Sequence, residues 1–198
     1  MNYKFFFSIF FSLFLGLYAL SVTASGEEKN ADETMMKKWM EYATPGENHK
    51  VLEYFIGEWD YTLNWQMSSN DKPQKASGTT VGKWLLDGRF LKIHAKGTSN
   101  DKPFEGYGVI GYDNVGKKYN GIWIDNMSTG MMKTWGYFYP STKTFVEWGK
   151  FKDPIIGKQA FRGVTTIKNN DKYTYEMFVT GADGKEFRMM EIVYTRKK

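Results

Sequence analysis

Trp59-Asp60-Tyr61-Thr62-Leu63-Asn64-Trp65-Gln66-Met67-Ser68 decides the fold. Its odd positions are aromatic or apolar and its even positions polar. That period of two matches a strand with one face in a core and the other in water, because successive side chains of an extended chain point to opposite sides. Outward from this stretch, turn signals recur at short intervals: Asn70-Asp71, Asp87-Gly88, Asn100-Asp101, Asp113-Asn114, Ser128-Thr129-Gly130, Pro140-Ser141, Asp153-Pro154, Asn169-Asn170 and Asp183-Gly184. They separate ten strand segments, at 59–68, 76–86, 89–98, 104–113, 118–127, 130–139, 143–151, 159–168, 172–181 and 185–196. Connections this short favour an up-and-down meander. A long antiparallel sheet exposes its edges unless it closes on itself. The expected fold is all-β, a single closed antiparallel up-and-down β-barrel of about ten strands.

One or two short helices precede the barrel. Met36, Trp39 and Met40 recur at spacings of three and four within Glu33 to Ala43, so that segment reads as an amphipathic helix whose apolar face flanks its own barrel, a partner or a membrane surface. Thr44-Pro45-Gly46-Glu47 signals a second helix, with Thr44 as N-cap, Pro45 in the first turn and Glu47 closing a capping box. It carries Val51, Leu52 and Phe55 inward and stops at Gly57. Residues 25–34 are small, polar and charged and read as a flexible leader. The expected organisation is a leader and helix over 25–43, then a barrel domain over 44–198.

Residues 1–24 read as a secretory signal: Lys4, an apolar run from Phe5 to Leu20, then Ser21-Val22-Thr23-Ala24 with cleavage after Ala24. An uncleaved anchor is the alternative, since the run nearly reaches the roughly 17 residues that span a bilayer. No cysteine follows, which excludes a lipoprotein anchor. The protein is expected to be exported, periplasmic or secreted, with no stable membrane insertion once the signal is cleaved.

Removing 24 residues leaves 174 of 198, enough for one domain with a sizeable core. The chain has no cysteine, so a disulfide framework, a thiolate metal site and a cysteine nucleophile are all excluded. A net charge of +5 is spread as alternating pairs such as Asp71-Lys72, Asp101-Lys102, Lys152-Asp153 and Asp171-Lys172. No basic stripe emerges, which argues against nucleic acid as a partner. Aromatic residues make up 18%, more than an ordinary core requires, and most fall on the strand segments.

Two Asp-Gly turns fix registers. The first sets Leu86 against Arg89, Trp84 against Leu91, Gly82 against Ile93 and Thr80 against Ala95 on an apolar, inward face. Lys83 against Lys92 and Val81 against His94 then face water. The second sets Val179 against Arg188, Met177 against Met190, Tyr175 against Ile192 and Tyr173 against Tyr194 inside. Glu176 falls opposite Glu191 on the other face, where solvent relieves their repulsion. An inverted register would bring both carboxylates inside as an acid/base pair. Strand direction places Arg196 beside Trp59, where a guanidinium stacks on an indole, with Arg89 at the same level; both are read as barrel-closing. Arg188 sits near the opposite rim, either anchoring a ligand carboxylate or phosphate or snorkelling to water.

A short helix leading into Gly57-Glu58-Trp59, paired with Arg196 late in the last strand, resembles the calycin superfamily of lipocalins and fatty-acid-binding proteins. The stretches TPGENHKVLEYFIGEWD, LDGRFL, FEGYGVIGYDN, WIDNMSTGMM and DGKEFRMMEIVYTRK, spread over Thr44 to Lys198, resemble the bacterial domain-of-unknown-function family 1579. The resemblance implies a lipocalin-like barrel with no established activity and carries no catalytic residues over.

The expected ligand-binding wall comprises Trp59, Tyr61, Trp65, Trp84, Leu91, Tyr175, Met177 and Met190, with Arg188 as polar anchor. Aromatic and thioether walls adapt to flexible apolar bodies, so a small hydrophobic or amphipathic molecule is the expected ligand. No cofactor is expected. Only His49 and His94 could ligate haem or zinc, and both read as surface residues. Asp125-Asn126-Met127-Ser128-Thr129-Gly130 reads as turn chemistry, since a serine nucleophile there lacks a local histidine. Asn126-Met127-Ser128 also fits a glycosylation sequon. Gly106-x-Gly108-x-x-Gly111 copies a dinucleotide fingerprint, but inside a strand it relieves crowding in the wall. The alternatives are an isomerase- or dehydratase-like enzyme using Glu176, Glu191 or Asp125, and a filled structural or interaction module.

Overall fold

The computed structural model describes residues 26–198 except 100, 101, 155, 156 and 182. The secretory signal read over 1–24 and the Asn100-Asp101 turn lie outside the described residues. Helix α1 (Gly26–Ala43) begins upstream of the expected Glu33 and takes in most of the stretch read as a leader. No glycine or proline interrupts Glu27 to Ala43, and straight-chain Glu, Lys and Met favour helix. Among the described residues no helix is long and apolar enough to cross a membrane.

Tyr42–Lys198 forms one compact unit. Helix α2 (Glu47–Lys50) and a 3-10 turn (Val51–Phe55) lead into ten strands: β1 (Gly57–Trp65), β2 (Gln74–Leu85), β3 (Phe90–Ser99), β4 (Lys102–Asp113), β5 (Lys118–Asp125), β6 (Met132–Tyr139), β7 (Thr144–Asp153), β8 (Gly157–Asn169), β9 (Lys172–Thr180) and β10 (Glu186–Arg196). Each pairs antiparallel with the next, and β1 pairs with β10 to close the barrel. This is the up-and-down architecture expected from the period of two. The first strand ends sooner than its alternation suggests: Met67 lies beyond β1 and is exposed.

The α2 segment and its 3-10 turn plug one end. Gly46, not Thr44, is the N-cap, and His49 rather than Glu47 reaches back: its Nδ1 accepts the Gly46 N–H at 3.0 Å. Glu47 pairs instead with Lys50 at 2.6 Å. Leu52 and Phe55 drive into a core with Trp59, Leu91, Tyr119 and Tyr173. The plug rests so closely on β2 that a Cβ at Gly82 would fall 2.0 Å from the Phe55 carbonyl oxygen. Gly57, at φ +106°, turns the chain from plug to β1 through a conformation that L side chains rarely adopt.

Both Asp-Gly hairpins carry local departures. In the first, Trp84 pairs with Leu91 as expected, but Leu86, Asp87 and Gly88 all adopt positive φ, which turns Leu86 out to solvent. Arg89 donates to the Leu86 carbonyl at 3.0 Å and so fastens its own hairpin. In the second, a bulge at Met189 shifts the register: Met190 pairs with Met177, but Val179 faces Phe187, and Arg188 pairs with Phe178. One extra residue inverts parity. Arg188 therefore lies on the outer face, contrary to the inward anchor expected for it. There it bridges Glu176 at 2.7 Å and Glu191 at 3.0 Å, the two carboxylates that oppose each other on that face.

Candidate functional site

The inward face of every strand surrounds a cavity of about 440 Å³. Leu52 and Phe55 of the plug form its floor, and it reaches the far rim at Ser99, Asp125 and Met127. Of the wall residues named from sequence, Tyr61, Trp65, Tyr175, Met177 and Met190 line it. Trp59, Trp84 and Leu91 instead sit lower, in the solid core around the plug. Trp59 and Leu91 are almost fully buried, at 1% and 0% exposure, so they support the container without bordering its space. Trp123 joins the wall from outside the expected set. Its ring lies over β4, where a Cβ at Gly106 would meet it at 2.4 Å and one at Gly108 at 3.2 Å. The glycine series thus makes room for an indole in the wall.

The decisive polar group is Glu147, at the centre of β7. It lines the cavity and stands between Gly136 of β6 and Gly163 of β8. A Cβ at Gly163 would come within 2.8 Å of Glu147 Oε1 and 2.9 Å of the Tyr175 hydroxyl, so this glycine clears space for the carboxyl, while Gly136 lets β6 lie close against the Glu147 backbone. The Tyr175 hydroxyl donates to Glu147 Oε1 at 3.2 Å, and Thr134 supplies a second hydrogen bond. Burial outweighs both bonds and raises the carboxyl above the ordinary glutamate range. Among the described residues Glu147 has no ion-pair partner. Burial also pushes the Tyr175 hydroxyl well up, so it stays protonated and can donate.

Asp125, the second carboxyl on the wall, lies near the rim. It accepts the Trp123 indole N–H at 2.8 Å and the Met127 backbone N–H at 3.0 Å, and Gly130 N–H donates to Ser128 Oγ at 3.3 Å. The turn chemistry read there accounts for the loop. Neither histidine lines the cavity. His94 is on the outer face, 2.7 Å from Glu105 and stacked on Tyr107. His49 is not the surface residue expected: it is buried edge-on against Tyr112, and burial lowers its pKa. The α2 helix is too short to hold His49 in water while Leu52 enters the barrel.

The family described as "Protein of unknown function (DUF1579)" matches residues 44–196. The chain belongs to that family. The DUF1579 match therefore takes in the plug and all ten strands. No curated protein matches the sequence. Among solved structures, the DUF1579 barrel is similar to the crystal structure of Rv2717c from M. tuberculosis, at 12% identity and a TM-score of 0.58, over 78% of this chain and 100% of that one. That likeness concerns the fold alone. A redesigned β-barrel, mFAP0, bound to DFHBI, matches at 17% identity and a TM-score of 0.38, over 72% of this chain and 99% of that one.

Proposed function

We propose that this DUF1579 domain is a container that holds a small apolar or amphipathic molecule inside its barrel. The observation that carries the reading is the cavity of about 440 Å³, walled by aromatic and thioether side chains with the Glu147 carboxyl among them. A volume within the roughly 300–1,000 Å³ of small-molecule pockets, mostly apolar walls and a few convergent polar groups are what such sites require. A filled structural module would have spent this space on side chains. Kinship with the calycins, which hold their ligands in the same place, belongs to the same proposal.

Native mass spectrometry of the protein purified from its own host tests it. A co-purifying small-molecule mass, released on activation, is the expected result. Ligand-free protein that also fails to take up the neutral probe N-phenyl-1-naphthylamine overturns the reading.

A second reading, acid/base chemistry on the bound molecule, is favoured by the Glu147–Tyr175 hydrogen bond, since a carboxyl with a raised pKa in a cleft is a common general acid. It displaces the version built on Glu176 and Glu191, which Arg188 holds outside. Turnover of the co-purified molecule that ceases in Glu147→Gln would establish it; an unchanged molecule after incubation would exclude it.

The same proposal places the domain outside the cytoplasm, on the strength of the signal-type sequence at 1–24. A mature chain beginning at Ser25 in the host's envelope or medium is expected. A full-length chain confined to the cytosol overturns it.

A further inference from the structure

The wall of the cavity is one-signed. Among the described residues it carries the carboxyl groups Asp125 and Glu147 and no lysine, arginine or histidine. Arg188, the basic group nearest in expectation, is spent outside on Glu176 and Glu191. A basic side chain that could pair with an anionic head is therefore missing from this wall.

A buried carboxyl without a counter-charge either keeps its proton or finds a cation. Glu147 stands deep in the wall, with acceptor capacity to spare: a carboxylate offers about four lone-pair sites, and Tyr175 and Thr134 occupy two. Gly163 leaves the room that the Glu147 carboxyl occupies, since a Cβ there would meet Oε1 at 2.8 Å. Tyr175 reaches Glu147 with its hydroxyl. Tyr61, Tyr175 and Tyr194 line the same cavity, Tyr194 stacks on Tyr173 at 4.2 Å, and Tyr61 lies 6.0 Å from Tyr194. Aromatic faces attract a cation through the ring quadrupole, most strongly where water is excluded. A carboxyl on an aromatic-lined wall that carries no basic side chain suits an ammonium head. An anionic head at the same place would find no cation to pair with, and a neutral head would leave Glu147 holding its proton, so only a cationic head gains from the carboxylate form.

We infer that the cavity selects ligands bearing an organic cation, an amine-type head on a compact alkyl or aromatic body, with the head seated against Glu147. This rests on the container reading and sharpens it. On binding, the Glu147 carboxyl releases its proton to solvent, the ammonium N–H groups donate to the resulting carboxylate, and the body lies against Trp65, Met177 and Met190. Asp125 at the rim adds negative potential along the way in.

The test is a ranking of head groups on a fixed body, read from quenching of the intrinsic tryptophan emission and confirmed by calorimetry. Decylamine, decanol and decanoate are compared on the full chain, and the same three heads are repeated on a naphthylethyl body. The amines are expected to bind at least about tenfold tighter than the matching alcohols, and the carboxylates weakest. Glu147→Gln, which keeps size and hydrogen bonding, should remove the amine preference and leave the alcohols within about twofold. Asp125→Asn should weaken the amine preference by less than Glu147→Gln does, because that carboxylate stands at the rim and already accepts from Trp123 and Met127. Carboxylates that bind as well as amines, or an amine preference that survives Glu147→Gln, overturn the inference while leaving the container standing. Failure of all six compounds to bind overturns the container and this inference together. Should Glu147→Gln not fold, the ranking on the unaltered chain still decides.

Discussion

The guanidinium of Arg196 lies 4.0 Å above the Trp59 ring, joining the end of the last strand to the start of the first. From the same position it donates to the carbonyls of Ile56 at 2.8 Å, Tyr54 at 2.9 Å and Asn170 at 3.0 Å. One side chain thus ties the plug, the closing seam and the β8–β9 turn. Only the planar, forked guanidinium can stack and donate in several directions at once. Arg196→Lys, which keeps the charge, should still lower stability by about 2–3 kcal/mol, seen as a lower denaturant midpoint with an unchanged slope.

A different weakness lies under the plug. Since a Cβ at Gly82 would fall 2.0 Å from the Phe55 carbonyl oxygen, which is backbone, Gly82→Ala cannot be absorbed by a side-chain rotation. Gly88→Ala meets nothing within 4 Å, although its φ of +82° strains an alanine. Gly82→Ala is expected to cost about 3 kcal/mol or more and Gly88→Ala about 1 kcal/mol, compared by thermal unfolding. Equal losses at the two sites would refute the close seating of the plug.

These contacts divide between what a sequence can and cannot reveal. The period of two around Trp59 and the Asp-Gly turns carry the strand count, the Trp84–Leu91 pair and the meeting of Arg196 with Trp59, because parity propagates along an unbroken ladder. Arg188 escapes that logic. A bulge at Met189 has no signature in Phe187-Arg188-Met189-Met190, and a single inserted residue sends the guanidinium outside. Glu147 escapes for another reason: Phe145-Val146-Glu147-Trp148-Gly149 is apolar on both faces, so alternation does not tell inside from outside. The usable signal was its cross-strand company, glycine on each side at 136 and 163, which marks a group needing room. The cavity itself depends on how side chains fill space across the barrel, which no local pattern records.

Arg188 gives a prediction about the outer wall. Glu176 and Glu191 face each other across β9 and β10, and the guanidinium between them relieves their repulsion. All three side chains are partly exposed, at 46%, 27% and 29%, so screening limits the effect. Arg188→Ala should lower stability by about 1 kcal/mol, less at high salt, and should not change the affinity of any ligand held inside. A large loss of ligand affinity would instead return Arg188 to the cavity.

Glu147 makes stability depend on pH in a direction opposite to most carboxylates. Burial raises its folded-state pKa above the ordinary 4.5, so the folded chain holds this proton more tightly than the unfolded chain does. The stabilisation is complete below that ordinary value and is lost as pH rises through the folded pKa. Tyr175 and Thr134, the groups bonded to it, do not titrate in this window. The difference in unfolding free energy between Glu147→Gln and the parent should therefore be near zero in acid, then swing in favour of the variant as pH climbs from about 4.5 to neutrality. Chemical denaturation across that range measures it. A difference that stays flat with pH would mean that Glu147 ionises as freely as an exposed glutamate. Addition of a bound amine should flatten the same curve, because the ligand's cation stabilises the charged carboxylate and removes the reason for holding a proton.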